Sequence, residues 1–208
     1  MLKKCLTSFG FGAQADNFKR ASPRFARYAD KHNYDYHAPS LDLFDEWRKV
    51  HRKAYAWLKL PLLSRLLEAY DVVFWIDADV VIVDDSVDAF EESSTAPMSM
   101  VVHRVKLGTH PNTGVWICRR EAKAIIDAID VEEPIPYHVD RWWEQAALHR
   151  YFGLDLWADV FNVPQTDDWG ELPYRFNAIA RDERGIPKEA AFIHAAGLQD
   201  VFDDAIER

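Results

Sequence analysis

The apolar positions of this chain fall into two rhythms that take turns. Residues 4–9 form a short, mostly apolar run closed by Gly10, which reads as a buried strand. Phe18, Ala21, Phe25, Tyr28 and Ala29 then recur at spacings of three and four, the pattern of an amphipathic helix over residues 18–32. Ser22 and Pro23 offer that helix an internal start, as N-cap and first helical position. Residues 34–37 read as a second strand, closed by Ala38 and Pro39. Residues 41–58 read as a helix with Trp47, Val50, Ala54 and Trp57 on one side, and a further helix with Pro61 in its first turn runs to about Tyr70. Val72 to Ile76 is an unbroken run of β-preferring residues and so a buried strand. A short extended piece follows over 80–83, and Ser86 is placed to cap a short helix through Ala89 and Phe90. Residues 98–103 and 113–118 read as strands, 121–130 and 141–151 as helices, and 191–194 as a last strand. Strands alternating with helices predict an α/β fold with a mixed, mostly parallel central sheet flanked by helices. No repeat, low-complexity tract or linker divides the chain, so one domain over residues 1–208 is expected.

Composition narrows the function classes. Apolar residues make up 49% of the 208, which argues against disorder. The formal charge of −9 disfavours nucleic acid as a partner without excluding it, and suits a carboxylate site around a cation. Two basic clusters are able to meet phosphates: Lys19, Arg20, Arg24 and Arg27, and Arg181, Arg184 and Lys188. The usual state of such runs is a solvated helix face. Cys5 and Cys118 lie in apolar runs and read as free buried thiols in a reducing compartment. No apolar run reaches the roughly 18 residues of a membrane span, and no signal-peptide core follows Met1, so a soluble cytoplasmic protein with no membrane partner is expected. Of the eight tryptophans, Trp57, Trp75, Trp116, Trp142 and Trp143 lie in or beside polar motifs. Most belong in the core, and one or two are able to form a wall against a sugar or base.

The strongest chemical signal is the end of the apolar run, where Ile76 is followed by Asp77, Ala78 and Asp79. Ligands bind at the carboxyl ends of strands in open α/β sheets. Residues i and i+2 of a strand point the same way, and two converging carboxylates repel unless a cation separates them. Oxygen ligands of this kind suit Mg²⁺ or Mn²⁺ with positions left open for phosphate oxygens. Asn112 and Gly114 suit close approach to a sugar, or a simple turn. Glu144 and Gln145 are adjacent on a helix, so one is able to face a ligand while the other is solvated. His194 ends a short apolar run and is either a metal ligand or a satisfied strand-end histidine.

These elements resemble the nucleotide-sugar site of GT-A glycosyltransferases, in particular the galactosyl and α-xylosyl transferase type, glycosyltransferase family 34. The likeness is carried by Trp57-Leu58-Lys59-Leu60-Pro61, by Tyr70-Asp71-Val72-Val73-Phe74-Trp75-Ile76-Asp77-Ala78-Asp79, by Asn112-Thr113-Gly114-Val115, by Trp143-Glu144-Gln145-Ala146-Ala147-Leu148 and by Ile193-His194-Ala195-Ala196-Gly197. It implies a GT-A, Rossmann-like fold with a nucleotide-binding half at about residues 1–85 and a sugar and acceptor half at about 86–208. It implies a cation, Mn²⁺ or Mg²⁺, with Asp79 as a direct ligand, His194 as a further ligand and Asp77 on the ribose, the metal or both, and a nucleotide-sugar donor, with UDP-sugar favoured. Fold position would set Thr7, Ser8, Phe9, Asp35, Tyr36 and Lys59 around the base or a phosphate, and Ala78, Asn112, Gly114 and Gly197 around the donor. Gln145 and Glu144 would flank the anomeric carbon. The resemblance implies retention, with Gln145 beside a front-face attack or Glu144 as nucleophile of a double displacement; an inverting enzyme would use Glu144 or Asp140 as base. The chain is short for that family and shows no N-terminal anchor, which sets the expectation of a soluble bacterial or viral enzyme. The acceptor, a saccharide, a protein or a modified base in DNA, is left open.

Two other classes compete. A haloacid-dehalogenase-type phosphatase also ends an apolar strand with D-x-D, and would use Asp77 as nucleophile and Asp79 as acid. That motif belongs on a first strand with a late lysine beside a paired acid; here Lys188 is followed only by Glu189. A binding protein that keeps the fold without turnover is the other.

Overall fold

The computed structural model describes residues 2–40, 55–106, 108–131, 143–153, 161–162 and 166–208. The elements in chain order are β1 (Lys4–Thr7), α1 (Ala15–Lys31), β2 (Asp35–His37), α2 (Lys59–Ala69), β3 (Val72–Ile76), β4 (Val80–Ile82), β5 (Met98–Val105), β6 (Gly108–Arg119), α3 (Lys123–Val131), α4 (Trp143–Tyr151), β7 (Phe161–Asn162), β8 (Trp169–Leu172), β9 (Phe192–His194) and α5 (Gln199–Glu207). The main sheet has the order β2-β1-β3-β6-β5-β8, with β7 paired to the start of β6. Strands β2, β1, β3, β5 and β8 run one way and β6 runs against them. The sheet is therefore mixed and mostly parallel, as the alternation predicts.

Strand β3 shows why the sheet is covered on both sides. All five of its residues are buried. Val73 and Trp75 pack with Leu60, Leu63 and Leu67 of α2 and Ile126 of α3, while Val72, Phe74 and Ile76 pack with Phe25 and Tyr28 of α1 and Phe202 of α5. Alternation along one strand thus feeds two cores, and each fully buried side chain contributes roughly 1.5–3 kcal/mol. Cys5 and Cys118 flank Val73 on the neighbouring strands. Both are buried free thiols, and burial pushes the Cys5 thiol up to about 12, where it is inert.

Several elements depart from the sequence pattern. Helix α1 begins at Ala15 and carries Pro23 inside it, so Ser22-Pro23 is not a start; burial of Ala21, Phe25 and Tyr28 on one face outweighs the hydrogen bond that proline omits. Ser86 caps no helix. Its N–H donates to Asp84 Oδ1 and the Phe90 N–H to Asp88 Oδ1, so short acidic side chains hold the segment in turns. Strands β7 and β8 and helix α5 had no clear pattern. Residues 41–54, with Trp47, Val50 and Ala54, and residues 132–142, with Asp140 and Trp142, lie outside the described residues. No helix among the described residues is long and apolar enough to cross a membrane.

A row of histidines runs through the sheet beside the last strands. His103 of β5, His110 of β6 and His149 of α4 are buried, with ring centroids 5.8 and 5.3 Å apart along the row. Burial holds the His103 and His149 imidazoles down at about 3 and lowers His110 too. They are neutral when folded and titrate at about 6.5 when unfolded, so between those values the unfolded chain binds more protons. Stability is fully present above pH 6.5 and falls as the pH drops below it, by up to about 1.4 kcal/mol per pH unit for each such histidine. Urea midpoints should therefore decline between pH 7 and pH 5, where His103, His110 and His149 together outweigh the opposite contribution of Glu144, whose carboxyl burial raises; a flat profile there would contradict the buried neutral row.

Candidate functional site

Strand β3 delivers Asp77 to the carboxyl edge of the sheet, and a turn does the rest. The Asp77 N–H donates to the Gly114 carbonyl at 2.7 Å, and its own carbonyl accepts from the Val80 N–H at 3.1 Å. The two acids converge through this turn rather than by strand alternation. Strand β4 then pairs antiparallel with β9, setting Val80 opposite His194, and the Asp79 carbonyl accepts from the Ala195 N–H at 2.9 Å. One ligand atom each from Asp77, Asp79 and His194 lies within 4.8 Å of the others.

A bulge in β6 supplies the wall behind them. Met100 pairs with Trp116, but Val101 pairs with Asn112, so Thr113, Gly114 and Val115 have no partner on β5. Such bulges re-aim side chains beside sites. A Cβ on Gly114 would lie 2.6 Å from His194 Cε1 and 2.8 Å from Asn112 Oδ1, so glycine is what lets the histidine sit there.

Lys59 is 2% exposed, which excludes a surface lysine and leaves its ammonium inside the protein. It pairs with Asp77 Oδ1 at 2.9 Å and Glu144 Oε1 at 2.5 Å, and donates to the Thr113 carbonyl at 3.1 Å. Burial pulls this amine down, but Asp77 and Glu144 more than reverse it and hold the ammonium above its ordinary range. Glu144 moves up as well, through burial and the Asp77 charge, against the pull of Lys59. One ammonium shared by two carboxylates gives both directions. Glu144 is buried, not solvated, as is Gln145. The Gln145 Oε1 accepts from the Thr113 N–H and from Asn112 Nδ2, both at 3.0 Å. Burial opposes ionisation of Asp79, and the His194 imidazole 3.4 Å away outweighs it, so its carboxyl lies below the usual range. His194 is pulled down by burial and raised further by Asp79, ending above its ordinary value.

These groups open on a cavity of about 870 Å³. Phe9, Lys59, Asp77, Ala78, Asp79, Asn112, Glu144, Gln145, His194 and Gly197 all line it. Gly114 sits behind His194 instead. Thr7, Ser8, Asp35 and Tyr36 are not among its lining. Thr7 and Ser8 are fully buried, and the Thr7 hydroxyl donates to the His37 carbonyl. Asp35 opens β2 opposite Cys5, at the far end of the strand from the cavity, and Tyr36 packs against the α1 core. Arg181, read from the sequence as able to meet a phosphate, lines the cavity, and sequence reasoning missed Phe11, Tyr55 and Lys106, which line it too, and Thr113, which joins Lys59, Glu144 and Gln145. Phe9 stacks on Phe11 at 4.9 Å and Phe11 lies 5.5 Å from Tyr55, making one end aromatic. Trp143, 39% exposed, stands at the rim with a left-handed backbone, φ +47°, a conformation unusual for a bulky residue outside functional sites. The three arginines of the first basic cluster are spent within the chain, and Lys19 is exposed: Arg20 pairs with Asp203, Arg27 with Asp85, and Arg24 donates to the carbonyls of Ile82 and Ile206. In the second, Arg184 is held by Asp182, while Arg181 faces the cavity.

No protein-family model matches the sequence, and no curated protein matches it. Solved structures do match the fold. A glycosyltransferase involved in glycosylation of the major capsid of the virus PBCV-1 has a TM-score of 0.68 at 16% identity, over 99% of this chain and 100% of that one. The glycosyltransferase GlyE of Streptococcus pneumoniae has 0.57 at 13% identity, over 99% of this chain and 61% of its own. Mouse xyloside xylosyltransferase 1 has 0.53 at 8% identity, over 94% and 98%. The chain thus spans the viral and mouse structures and about three-fifths of the pneumococcal one. At these identities what is shared is the fold, and that fold is GT-A.

The buried ion cluster can be tested directly. Lys59→Met leaves two carboxylates without their cation and should cost about 3–5 kcal/mol. Adding Glu144→Gln should recover roughly 0.5–3 kcal/mol of that in a double-mutant cycle read by urea unfolding. Losses that simply add would show that Lys59 and Glu144 are not coupled.

Proposed function

We propose that this chain is a metal-dependent glycosyltransferase that moves a sugar from a nucleotide-sugar, most simply a UDP-sugar, to a hydroxyl acceptor with retention of configuration. The observation that carries the proposal is the convergence of Asp77, Asp79 and His194 at the sheet edge, on a cavity large enough for a donor, within a GT-A fold.

The three residues fit a hard divalent cation such as Mn²⁺ or Mg²⁺. Asp77 Oδ1 already accepts from Trp75 Nε1 at 2.6 Å and from Lys59, which leaves its other oxygen for an ion. His194 Nδ1 is engaged by Asn177 at 2.9 Å, which leaves Nε2, on the Asp79 side. Three protein ligands leave positions for diphosphate oxygens. When bound, the cation would neutralise charge developing on the leaving diphosphate.

The chain's own residues would do the rest. The aromatic end, Phe9, Phe11 and Tyr55, suits the face of a base. Lys106 and Arg181 add positive charge to the lining, where the diphosphate needs it. Gln145 has its carbonyl oxygen committed to two N–H donors, so what it offers a sugar is its NH₂ group. Glu144 Oε1 is held by Lys59 and by the Thr113 hydroxyl. Gln145 is an amide and no nucleophile, and Lys59 and Thr113 tie Glu144 back through Oε1, which supports front-face attack, with the acceptor proton passing to the leaving phosphate oxygen. A phosphatase would need Asp77 as nucleophile, and Lys59 and Trp75 both hold that carboxylate; Lys188, its other requirement, is exposed and absent from the cavity lining. The acidic chain and its internally committed arginines weigh against a nucleic-acid acceptor and leave saccharide or protein favoured.

The test is release of nucleoside diphosphate from a panel of nucleotide-sugars with Mn²⁺ or Mg²⁺ and no acceptor. Slow release from one donor, abolished by EDTA and reduced at least about a hundredfold in Asp79→Ala, is expected. No release from any donor, and no metal-dependent thermal shift by any donor, would refute the activity.

A further inference from the structure

We propose that Asn177 is a positioning residue: a string of side-chain amides running through it holds His194 as the Nδ1–H tautomer and ties the metal centre to the Gln145 carboxamide. The inference deepens the metal-centre proposal and rests on it for its functional meaning.

The orientation of each amide follows from two backbone donors. The Gly114 N–H lies 2.8 Å from Asn112 Oδ1, and a backbone N–H can only donate, so an oxygen must face it. Asn177 Nδ2 lies 2.8 Å from that same oxygen. Two carbonyl oxygens would repel there, so Asn177 turns its NH₂ to Asn112 and its carbonyl oxygen to His194 Nδ1 at 2.9 Å. A carbonyl oxygen has no proton to give, so Nδ1 must carry one; Asp79 also draws a proton to Nε2, but from 3.4 Å against 2.9 Å for Asn177, so the neutral ring keeps its last proton on Nδ1. The lone pair is then on Nε2, the nitrogen beside Asp79. The other tautomer would put a proton where a metal ion needs electrons.

The string also runs the other way. The Thr113 N–H faces Gln145 Oε1 at 3.0 Å, which turns that oxygen inward, and Asn112 Nδ2 donates to it at 3.0 Å. One line of hydrogen bonds therefore sets both the imidazole at the cation and the amide at the sugar. Asn177 is fully buried. Its backbone is clamped as well, with its carbonyl accepting from His103 Nε2 at 2.8 Å and its N–H donating to the Tyr174 carbonyl at 3.1 Å. Asparagine is the side chain that can accept from His194 and donate to Asn112 at once; aspartate can do only the first and leucine neither.

That difference gives the experiment. Mn²⁺ binding is read by the EPR signal of free Mn²⁺ for wild type, Asn177→Asp and Asn177→Leu, each with its melting temperature measured. In parallel, the ¹⁵N shifts of His194 are read in metal-free protein at a pH where the ring is neutral. The expected result is Nδ1–H in wild type and Asn177→Asp, and Mn²⁺ affinity roughly ten- to a hundredfold weaker in folded Asn177→Leu but near wild type in Asn177→Asp. Asn177→Asp should still lower turnover of the donor, because its link to Asn112 and Gln145 is gone. Wild-type Mn²⁺ affinity in folded Asn177→Leu, or an Nε2–H tautomer in wild type, would overturn the proposal. A wild type that binds no Mn²⁺ would instead refute the metal centre, and the tautomer, read without metal, would still judge the amide string. If Asn177→Leu does not fold, the wild-type tautomer and Asn177→Asp decide.

Discussion

Negative charge crowded into one wall of a cavity is the constraint around which this protein is arranged. Asp77, Asp79 and Glu144 line the same cavity, and among the described residues a single buried ammonium, Lys59, reaches two of them. Burial raises the cost of every unpaired charge. Lys59 settles the inner side, between Asp77 and Glu144. On the outer side Asp77 and Asp79 meet His194, and the three place one ligand atom each within 4.8 Å of one another. A divalent cation between them is the proposed counter-charge there, and an anionic diphosphate is the ligand that such a cation would attract.

The fold serves that wall by bringing distant segments to it. Strand β3 supplies the acids, the β6 bulge supplies Asn112 through Gly114, α2 supplies Lys59 from its first residue, and the first turn of α4 supplies Glu144 and Gln145. The small β4–β9 sheet carries His194 across to Asp79. Gly114 is where these meet, since any side chain there would collide with His194 or Asn112. The polar groups are not independent. They form two connected networks, one of charges around Lys59 and one of amides around Asn177, joined at Thr113. Networks of this kind specify a single arrangement when every member is satisfied.

The sequence made some of this legible and not the rest, for physical reasons. Strand β3 and its acids could be read because the signal is local: an unbroken β-branched and aromatic run that ends in carboxylates. His194, Asn112, Glu144 and Gln145 were legible as motifs, though not their partners. The burial of Glu144 and Lys59 was hidden, because an isolated charge in a sequence reads as solvated until its counter-charge arrives from another segment. Asn177 left no signal at all; it follows a short 3₁₀ turn in an irregular stretch, with no periodicity to mark it. Pro23 misled, since a proline can sit inside a helix when one face is as well buried as that of α1. Asp35 and Tyr36 were placed by analogy of fold position, and the parallel register of β2 with β1 sets Asp35 at the opposite end of the sheet.

The most direct measurement is crystallographic. Crystals soaked with Mn²⁺ and UDP, with data collected at the manganese absorption edge, should show one strong anomalous peak at coordination distance from Asp79, His194 Nε2 and Asp77, with diphosphate oxygens completing its shell. UDP bound in the cavity with no such peak, or a peak away from these three side chains, would contradict a cation-centred donor site.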